Sequence, residues 1–385
     1  MIKLNKNILQ LNPSATLAIN QRVKEFRHKG ETVYHFGFGQ SPFQIHHSIS
    51  KALQRHAEHN EYLPLTGLPE LKNKISDFLL KHQGLKFESN AIFIGPGSKE
   101  LLFQIIYLLD GMFLIPKGSW VSYLPQIKSK GADYQIIETK FEDDFKVTED
   151  KLRIACEKFP KIQKTLILNS PNNPTGAVYS NKELKALANV CKEHDVIVLS
   201  DEIYSQINFL DEKTASIASH YPEGTIVFGG LSKVFSAGGY RLGFAAIPAS
   251  MDEVYQPLQS FFSETFSAVS SPIQYAALSA YTYNNDLEAY IKDCNKILSE
   301  ISKYVYTELM NIGIRCTKPL GGFYMMIGLY NYTEKINNLG LHTSKECAEY
   351  LLNKHRIALL PASDFYFEPE EFYFRLAFVD FDGQL

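Results

Sequence analysis

The stretch TLILNSPNNPTGAVYSNKELKALANVCKEHDVIVLSD, residues 165–201, is the part of the sequence that decides the fold. Its two ends, TLILNS and VIVLSD, are short runs of β-branched residues and leucine, which are typical of strands buried on both faces of a sheet. Between them Ser180 and Glu183 have the spacing of a capping box and predict a helix that runs to Glu193. A strand, a helix and a second strand in this order predict a right-handed crossover between parallel strands.

The same alternation extends on both sides of this stretch. AIFIGPG, GMFLIP and YQIIET predict further strands, with helices over residues 45–59 and over SKELLFQIIYLL. Repeated strands and helices of this kind predict an α/β fold whose large domain has a mainly parallel sheet covered by helices on both faces. Later in the chain, a helical region to about Gly313, a helix over 344–355 and strands near 319–327, 357–362 and 372–379 predict a smaller α+β domain.

The length of 385 residues also favours more than one domain. We expect an N-terminal segment (1–40) that packs with the small domain, a large domain (41–272) that binds the ligand, and a small C-terminal domain (273–385).

Composition excludes several classes of function. The chain is 45% hydrophobic and 21% charged, with a formal net charge of −3, and it has neither a basic patch for nucleic acid nor an apolar run of transmembrane length. The opening MIKLNKNILQLNPSATLAIN has no apolar core or cleavage site of a secretory signal. Five scattered cysteines suit neither a metal site nor a disulfide framework. We expect a cytoplasmic protein without metal.

Ligands of such sheets bind beyond the carboxyl ends of the strands, so the residues after each apolar run are candidates. Gly97, Ser98 and Lys99 open a helix and could bind an anion, although an ordinary serine cap explains them equally well. Trp120, the only tryptophan, could cover the face of a ring, or it could be a core or interface residue.

The next two strands end in polar groups. SPNNPTG (170–176) is a rigid turn that fixes Asn173 as a hydrogen-bond donor. Asp201 and Tyr204 follow VIVLS at the same edge, and a carboxylate at the end of a buried strand requires a positive partner.

GGLSKVFSAGGYRLGF, residues 229–244, adds an amine and a cation, Lys233 and Arg241, although a surface turn could also have this composition. Earlier, the two glycines of VYHFGFGQSPF (33–43) could let the backbone turn closely around a small ligand, although a plain turn from strand to loop explains them equally well. A phosphate site, a ring face, an anion for a ring nitrogen and a lysine for an aldehyde together describe pyridoxal 5′-phosphate.

The sequence resembles the class I/II aminotransferases of pyridoxal-phosphate fold type I, the aspartate/aromatic group. The most specific motifs are SPNNPTG, SDEIY and SK followed by YRLGF, in this order and spacing. WVSY and EYLPLTGLPEL support the resemblance, which covers about 33–378. It implies a sheet of the seven-stranded type. It also implies that Lys233 binds the cofactor covalently, that Asp201 pairs with the pyridine nitrogen, and that Asn173 and Tyr204 contact the ring oxygen.

The resemblance further implies how phosphate and substrate are bound. Arg375, in FRLAFV, would bind the substrate α-carboxylate, helped by Asn173 and the backbone near Gly39. A homodimer with shared active sites is implied, in which Tyr62 reaches the phosphate of the neighbouring subunit, although Tyr62 could also be a local turn residue. The phosphate contacts within one subunit would be Gly97, Ser98, Lys99, Ser232 and Arg241.

Two departures from the family pattern affect these expectations. Gly230 stands where many members have a serine, which weakens the assignment of Ser232 to the phosphate. Family members usually continue with a further helix after FRLAFV, whereas this sequence ends at Leu385, so we expect either a shortened sequence or a trimmed small domain.

The resemblance implies an aminotransferase that moves an amino group between an L-amino acid and a 2-oxo acid by a ping-pong mechanism. A β-lyase or an aminocyclopropane-carboxylate synthase-like enzyme would share Lys233, Asp201 and Arg375, so these motifs leave both alternatives open. A non-catalytic ligand-sensing domain is disfavoured because no helix-turn-helix precedes the fold. A dehydrogenase is excluded because no GxGxxG opens a helix after a strand. Phe38 and Trp120 weakly favour apolar or aromatic substrates, and no second arginine is placed for a dicarboxylate.

Overall fold

A seven-stranded sheet forms the centre of the computed structural model, which describes residues 2–381. The strands of the chain, in order, are β1 Tyr34–His35, β2 Ile92–Gly95, β3 Met112–Pro116, β4 Asp133–Ile137, β5 Lys164–Asn169, β6 Val196–Asp201, β7 Thr225–Gly230, β8 Gly243–Ala246, β9 Arg315–Cys316, β10 Tyr324–Gly328, β11 Ile357–Ala358, β12 Leu360–Pro361 and β13 Tyr373–Ala377.

The large sheet has the strand order β2-β8-β7-β6-β5-β3-β4. All its pairs are parallel except those of β8, which runs antiparallel to both β2 and β7. β5 and β7 are buried along their whole length and β6 along nearly all of it, because helices cover both faces. The predicted α/β class with a mainly parallel seven-stranded sheet is confirmed.

Thirteen α-helices lie within the described residues: α1 Lys6–Leu9, α2 Ala15–His28, α3 His47–Arg55, α4 Pro69–Gln83, α5 Ser98–Leu108, α6 Tyr123–Lys130, α7 Glu149–Glu157, α8 Asn181–Glu193, α9 Tyr255–Ser263, α10 Ser271–Thr282, α11 Asn285–Asn311, α12 Thr333–Asn338 and α13 Ser344–His355. The capping box predicted at Ser180 and Glu183 is present and begins α8. Thr343 and Glu346 form a second capping box before α13.

Some element bounds differ from the prediction. The helix expected over 45–59 is shorter, because it begins only after His46, whose side chain accepts from the Ser48 amide. The helical region expected to about residue 313 is divided into two helices, α10 and α11. It breaks at Tyr283, which has a φ of +47° that an α-helix cannot contain.

A second, four-stranded antiparallel sheet, β12-β13-β10-β9, carries the C-terminal part of the chain. β1 pairs in parallel with β11, and Ile19 and Val23 of α2 belong to the same apolar cluster as Met326 and Leu360. The N-terminal segment is therefore attached to the C-terminal part of the fold.

The domain boundaries 1–40, 41–272 and 273–385 stay a prediction. α10, which lies at the second boundary, packs against α3 and α4, and its Ala276 and Ala280 share a core with Leu71 and Ile75. None of the described helices has the length and apolar character needed to span a membrane. The expectation of a shortened sequence or a trimmed small domain at Leu385 lies outside the described residues.

Candidate active site

A cavity of about 480 Å³ lies where the parallel strands of the large sheet end. Residues that follow β5, β6 and β7 reach it together because the carboxyl ends of parallel strands share one edge of a sheet. β8 runs the other way, so its N-terminal end brings Arg241 to the same edge. Most of the predicted site residues line the cavity: Gly39, Ser98, Lys99, Trp120, Asn173, Asp201, Tyr204, Ser232, Lys233, Arg241 and Arg375.

Two predicted residues do not line the cavity. Gly97 lies directly before Ser98, at the start of α5. Tyr62 is 93% exposed and makes no contact with the cavity of its own chain. Among the described residues, His46, His47 and Asp286 bring three potential metal ligands together, and none of the three lines the cavity.

Asp201 is a buried carboxylate at the end of β6. Its Oδ2 accepts a hydrogen bond from Tyr123 Oη at 2.7 Å, and its Oδ1 accepts from the Ile203 amide at 3.3 Å. Burial raises the pKa of Asp201 above its usual 3.8, although these two hydrogen bonds and the charge of Lys233 act in the opposite direction. No cation within the described part of the chain forms an ion pair with it. The site therefore fits a protonated ring nitrogen, which would supply the missing positive charge.

Lys233 lies in the loop after β7 and is half-buried. Its Nζ donates to the Gly39 carbonyl at 2.9 Å and lies 5.6 Å from the centroid of the Tyr204 ring. The loop is held at both ends, since the Leu231 amide donates to Leu242 and the Ala237 amide donates to Leu231. This arrangement presents one amine to the cavity from a fixed backbone.

Arg375 is the largest fully buried side chain, with 1% exposure. Its Nη1 donates to Asn173 Oδ1 at 3.1 Å and its Nη2 donates to the Gly37 carbonyl at 2.7 Å, while its Nε has no partner. No carboxylate within residues 2–381 pairs with this guanidinium. A buried guanidinium that forms no ion pair and faces a cavity suits an anionic ligand such as a carboxylate.

The start of α5 is also positively charged, because Arg241 lies beside it. Arg241 has a φ of +52° and donates to the Gly238 carbonyl at 2.9 Å. Gly97 has a φ of +92°, and a Cβ there would lie 2.7 Å from Arg241 Nη2, so the turn requires glycine. Together with the helix N-terminus and the Ser98 hydroxyl, Arg241 forms a cradle that fits a phosphate.

Trp120 and Lys99 form another part of the wall. Lys99 Nζ lies 5.2 Å from the centroid of the Trp120 ring, and burial and the charge of Arg241 lower the pKa of Lys99. Tyr366 donates from its hydroxyl to the Trp120 carbonyl at 2.6 Å, which fixes the tryptophan backbone. Lys99 thus adds a partly buried cation beside an aromatic face.

The sequence did not single out several residues that line or support this cavity. Tyr123, the donor to Asp201, is the last residue of WVSY, and its position in a recognised motif was a usable signal. Asn169 donates to the Asp201 carbonyl at 2.7 Å and accepts from the Asn173 amide at 2.8 Å, which holds Asn173 in place. Ser14 and Thr16, from the polar lead-in to α2, also line the cavity, and no local pattern predicted this.

Four features therefore share one cavity, at the edge of an α/β sheet that helices cover on both faces. They are an amine, a buried carboxyl that pairs with no cation, a buried arginine that pairs with no carboxylate, and a cradle that fits a phosphate. This combination defines the class of pyridoxal-phosphate-dependent enzymes of fold type I.

Comparisons with known proteins give the family. The sequence model of the family aminotransferase class I and II matches residues 31–380 of this chain. Aspartate aminotransferase of Bacillus subtilis (strain 168) is 32% identical over 373 residues, covering 94% of this chain and 92% of the relative. An asparagine–oxo-acid transaminase of Streptococcus mutans is 31% identical over 375 residues, covering 95% and 92%.

The solved structure of aspartate aminotransferase from Thermus thermophilus with maleate matches with a TM-score of 0.90 at 27% identity, covering 99% of this chain and 96% of that one. The chain belongs to the class I and II aminotransferases. It is a pyridoxal-phosphate-dependent transaminase, and the lyase alternative is not favoured.

Proposed function

We propose that this aminotransferase takes its amino group from a dicarboxylic amino acid, aspartate in the first place, and passes it to a 2-oxo acid. The observation that carries the proposal is a pair of cations, Arg375 and Lys99, that line one cavity without a carboxylate partner among residues 2–381. Arg375 suits the α-carboxylate. Lys99 suits the carboxylate of the substrate side chain, and the hydroxyls of Ser14 and Thr16 line the same cavity. The names of the relatives agree with an acidic or amide substrate.

The reaction requires one group to move a proton at the substrate α-carbon. Lys233 is the candidate, since it is the amine that faces the cavity from a fixed loop. Its Nζ takes the proton from the α-carbon and returns it later in the transfer, as a general base and then a general acid. When bound, pyridoxal phosphate supplies an electron sink for the negative charge that develops at this carbon.

Asp201 keeps the ring nitrogen of the cofactor protonated. A positive partner lowers the pKa of a buried carboxyl and stabilises both charges. Tyr123 and the Ile203 amide hold the carboxylate, which lines the cavity. Asn173 and Tyr204 are the proposed donors to the ring oxygen; Asn173 Nδ2 is available because its Oδ1 is used by Arg375.

The phosphate is proposed to lie against Gly97, Ser98, Ser232 and Arg241. We further propose a homodimer in which Tyr62 completes this phosphate site of the neighbouring subunit, which its exposure of 93% supports. The backbone of Gly39 helps to orient the substrate. A cytoplasmic location is proposed because all five cysteines are free, as is usual in a reducing compartment.

A panel of amino donors tests the substrate. Aspartate, glutamate, asparagine and phenylalanine are compared with 2-oxoglutarate as acceptor, for the wild type and for Lys99→Met. We expect aspartate to be the best donor. Loss of the charged contact should lower kcat/KM for aspartate by about ten- to a hundredfold, and for phenylalanine by less than about threefold. An equal loss for every donor would instead place Lys99 at the phosphate, as the resemblance implied.

A further inference from the structure

Tyr324 lines the cavity and has no part in the roles proposed above. It is the first residue of β10 and is 2% exposed. Its hydroxyl lies 3.0 Å from Tyr204 Oη and 3.5 Å from the Gly39 carbonyl. A Cβ on Gly39 would overlap this hydroxyl at 2.0 Å, so the glycine is required for the close approach.

The ring of Tyr324 supports a second site residue. The guanidinium carbon of Arg375 lies 4.5 Å from the ring centroid, within the range of a cation–π interaction. β10 and β13, which carry the two residues, are neighbouring strands of the small sheet. One side chain therefore contacts both Arg375 and Tyr204, and the Gly39 carbonyl that it approaches also accepts from Lys233.

The charged and titratable groups that face Tyr324 are Lys233, Arg375 and Tyr204. Burial by itself would raise the pKa of Tyr324, but the two positive charges and the hydrogen bond with Tyr204 bring it below its usual value. The pKa of Tyr204 is raised, first by burial and then by Tyr324, with Asp201 adding to the rise and Arg375 opposing it. Tyr204 therefore keeps its proton and can act as a donor.

We propose that Tyr324 is a positioning residue whose hydroxyl acts on the ring oxygen of the cofactor through Tyr204 and whose ring holds Arg375 for the substrate carboxylate. The proposal rests on the proposed function of those two residues. Each of the two tyrosines has a single O–H. When Tyr204 donates to the ring oxygen, its own oxygen accepts from Tyr324, whose O–H turns from the Gly39 carbonyl at 3.5 Å to Tyr204 Oη at 3.0 Å. A donor that also accepts a hydrogen bond is strengthened by it.

The role of the Tyr324 hydroxyl is tested by titrating the visible absorbance of the bound cofactor with pH and measuring the midpoint of the change. The wild type, Tyr324→Phe, Tyr204→Phe and the double variant are compared in a double-mutant cycle. A donor to the ring oxygen stabilises the bound form that has lost a proton, so weakening that donor raises the midpoint. Tyr324→Phe should raise it by about half a pH unit. In the Tyr204→Phe background the same change should have no further effect.

Three results would overturn the proposed role of the hydroxyl. If the pH midpoint shifts in Tyr204→Phe but not in Tyr324→Phe, the proposed role of Tyr324 is wrong and that of Tyr204 stands. If the midpoint shifts in neither variant, the proposed roles of both tyrosines are wrong. A shift of equal size in both backgrounds would show that Tyr324 acts independently of Tyr204, which also contradicts the proposal.

The ring is tested by the affinity for maleate, a dicarboxylate that cannot be transaminated. Tyr324→Phe keeps the aromatic face and should bind maleate within about twofold of the wild type, whereas Tyr324→Leu should bind it about tenfold more weakly. Urea unfolding of both variants checks that the fold is retained, and the phenylalanine variant tests the hydroxyl even if the leucine variant does not fold. Equal maleate affinity in a folded Tyr324→Leu would overturn the role of the ring.

Discussion

Replacing Asp201 by asparagine separates catalysis from folding. The carboxyl is buried and accepts from Tyr123 at 2.7 Å and from the Ile203 amide at 3.3 Å. Asparagine has nearly the same shape and can still accept from the Ile203 amide, but it carries no charge to hold a proton on the cofactor ring. Loss of one fixed, buried electrostatic contact to the reacting system costs about 3 to 4 kcal/mol, or a factor of about 10² to 10³ in kcat.

The stability of the cofactor-free protein should change in the opposite direction. Burial raises the pKa of Asp201, so the folded state binds its proton more tightly than the unfolded state. Such a carboxyl makes the protein less stable as the pH rises through its usual range toward the raised pKa. Asparagine does not titrate, so the cofactor-free variant should be at least as stable as the wild type at neutral pH.

The assays are steady-state transamination of the loaded enzyme and urea unfolding of the cofactor-free protein at pH 7.5. Tyr123→Phe is the matched control: it removes one hydrogen bond to Asp201 but keeps the charge, so its loss of kcat should be smaller. Turnover of Asp201→Asn close to that of the wild type would refute the reasoning. So would a cofactor-free variant that is several kcal/mol less stable, since Asp201 would then be a structural carboxylate.

Four further predictions follow from other sites. Lys233→Ala should still bind the cofactor noncovalently but lose transamination by several orders of magnitude, because the proposed base is removed; activity within tenfold of wild type would contradict this. Arg375→Lys should raise KM for aspartate by about a hundredfold, since lysine cannot make the two-pronged contact, and an unchanged KM would place the α-carboxylate elsewhere. Tyr62→Phe should weaken the binding of the cofactor by about 1 to 2 kcal/mol. In a mixed dimer of one Tyr62→Phe subunit and one Lys233→Ala subunit, the site that keeps Lys233 should bind the cofactor with normal affinity if Tyr62 reaches the neighbouring subunit, and more weakly if Tyr62 acts within its own subunit. Burial raises the pKa of Glu202 from its usual 4.5 to about 7, so the cofactor-free protein should lose stability as the pH rises from about 4.5 to about 7. Glu202→Gln should remove part of that loss, as pH-dependent urea unfolding would show.

The sequence predicted the large sheet well because its strands are short apolar runs with polar residues directly after them. The same rule identified Asn173 and Asp201, since each lies at or just after the end of an apolar run, whereas Lys233 was identified from the glycine-rich stretch 229–244 itself. Burial along β5 and β6 explains both results: an apolar strand shows where it ends, and in this fold the strand ends are where the cavity lies.

Residues that reach the cavity from outside the parallel strands were harder to predict. Tyr324 lies in GGFYMMIG, which predicts a strand, but every residue of β10 is buried, so the pattern does not show which face meets the cavity. Ser14 and Thr16 arrive through the attachment of α2 to the C-terminal part of the fold. Contacts of that kind depend on tertiary packing between distant segments and leave no local signal.

The most direct test of the account is chemical labelling of the cofactor lysine. The enzyme loaded with pyridoxal phosphate is reduced with borohydride, which fixes the cofactor to the amine that holds it, and is then digested and mapped by mass spectrometry. The account predicts one modified peptide, carrying the adduct on Lys233, and loss of visible absorbance in step with its formation. An adduct on another lysine, or none at all, would contradict the assignment of this cavity as the active site.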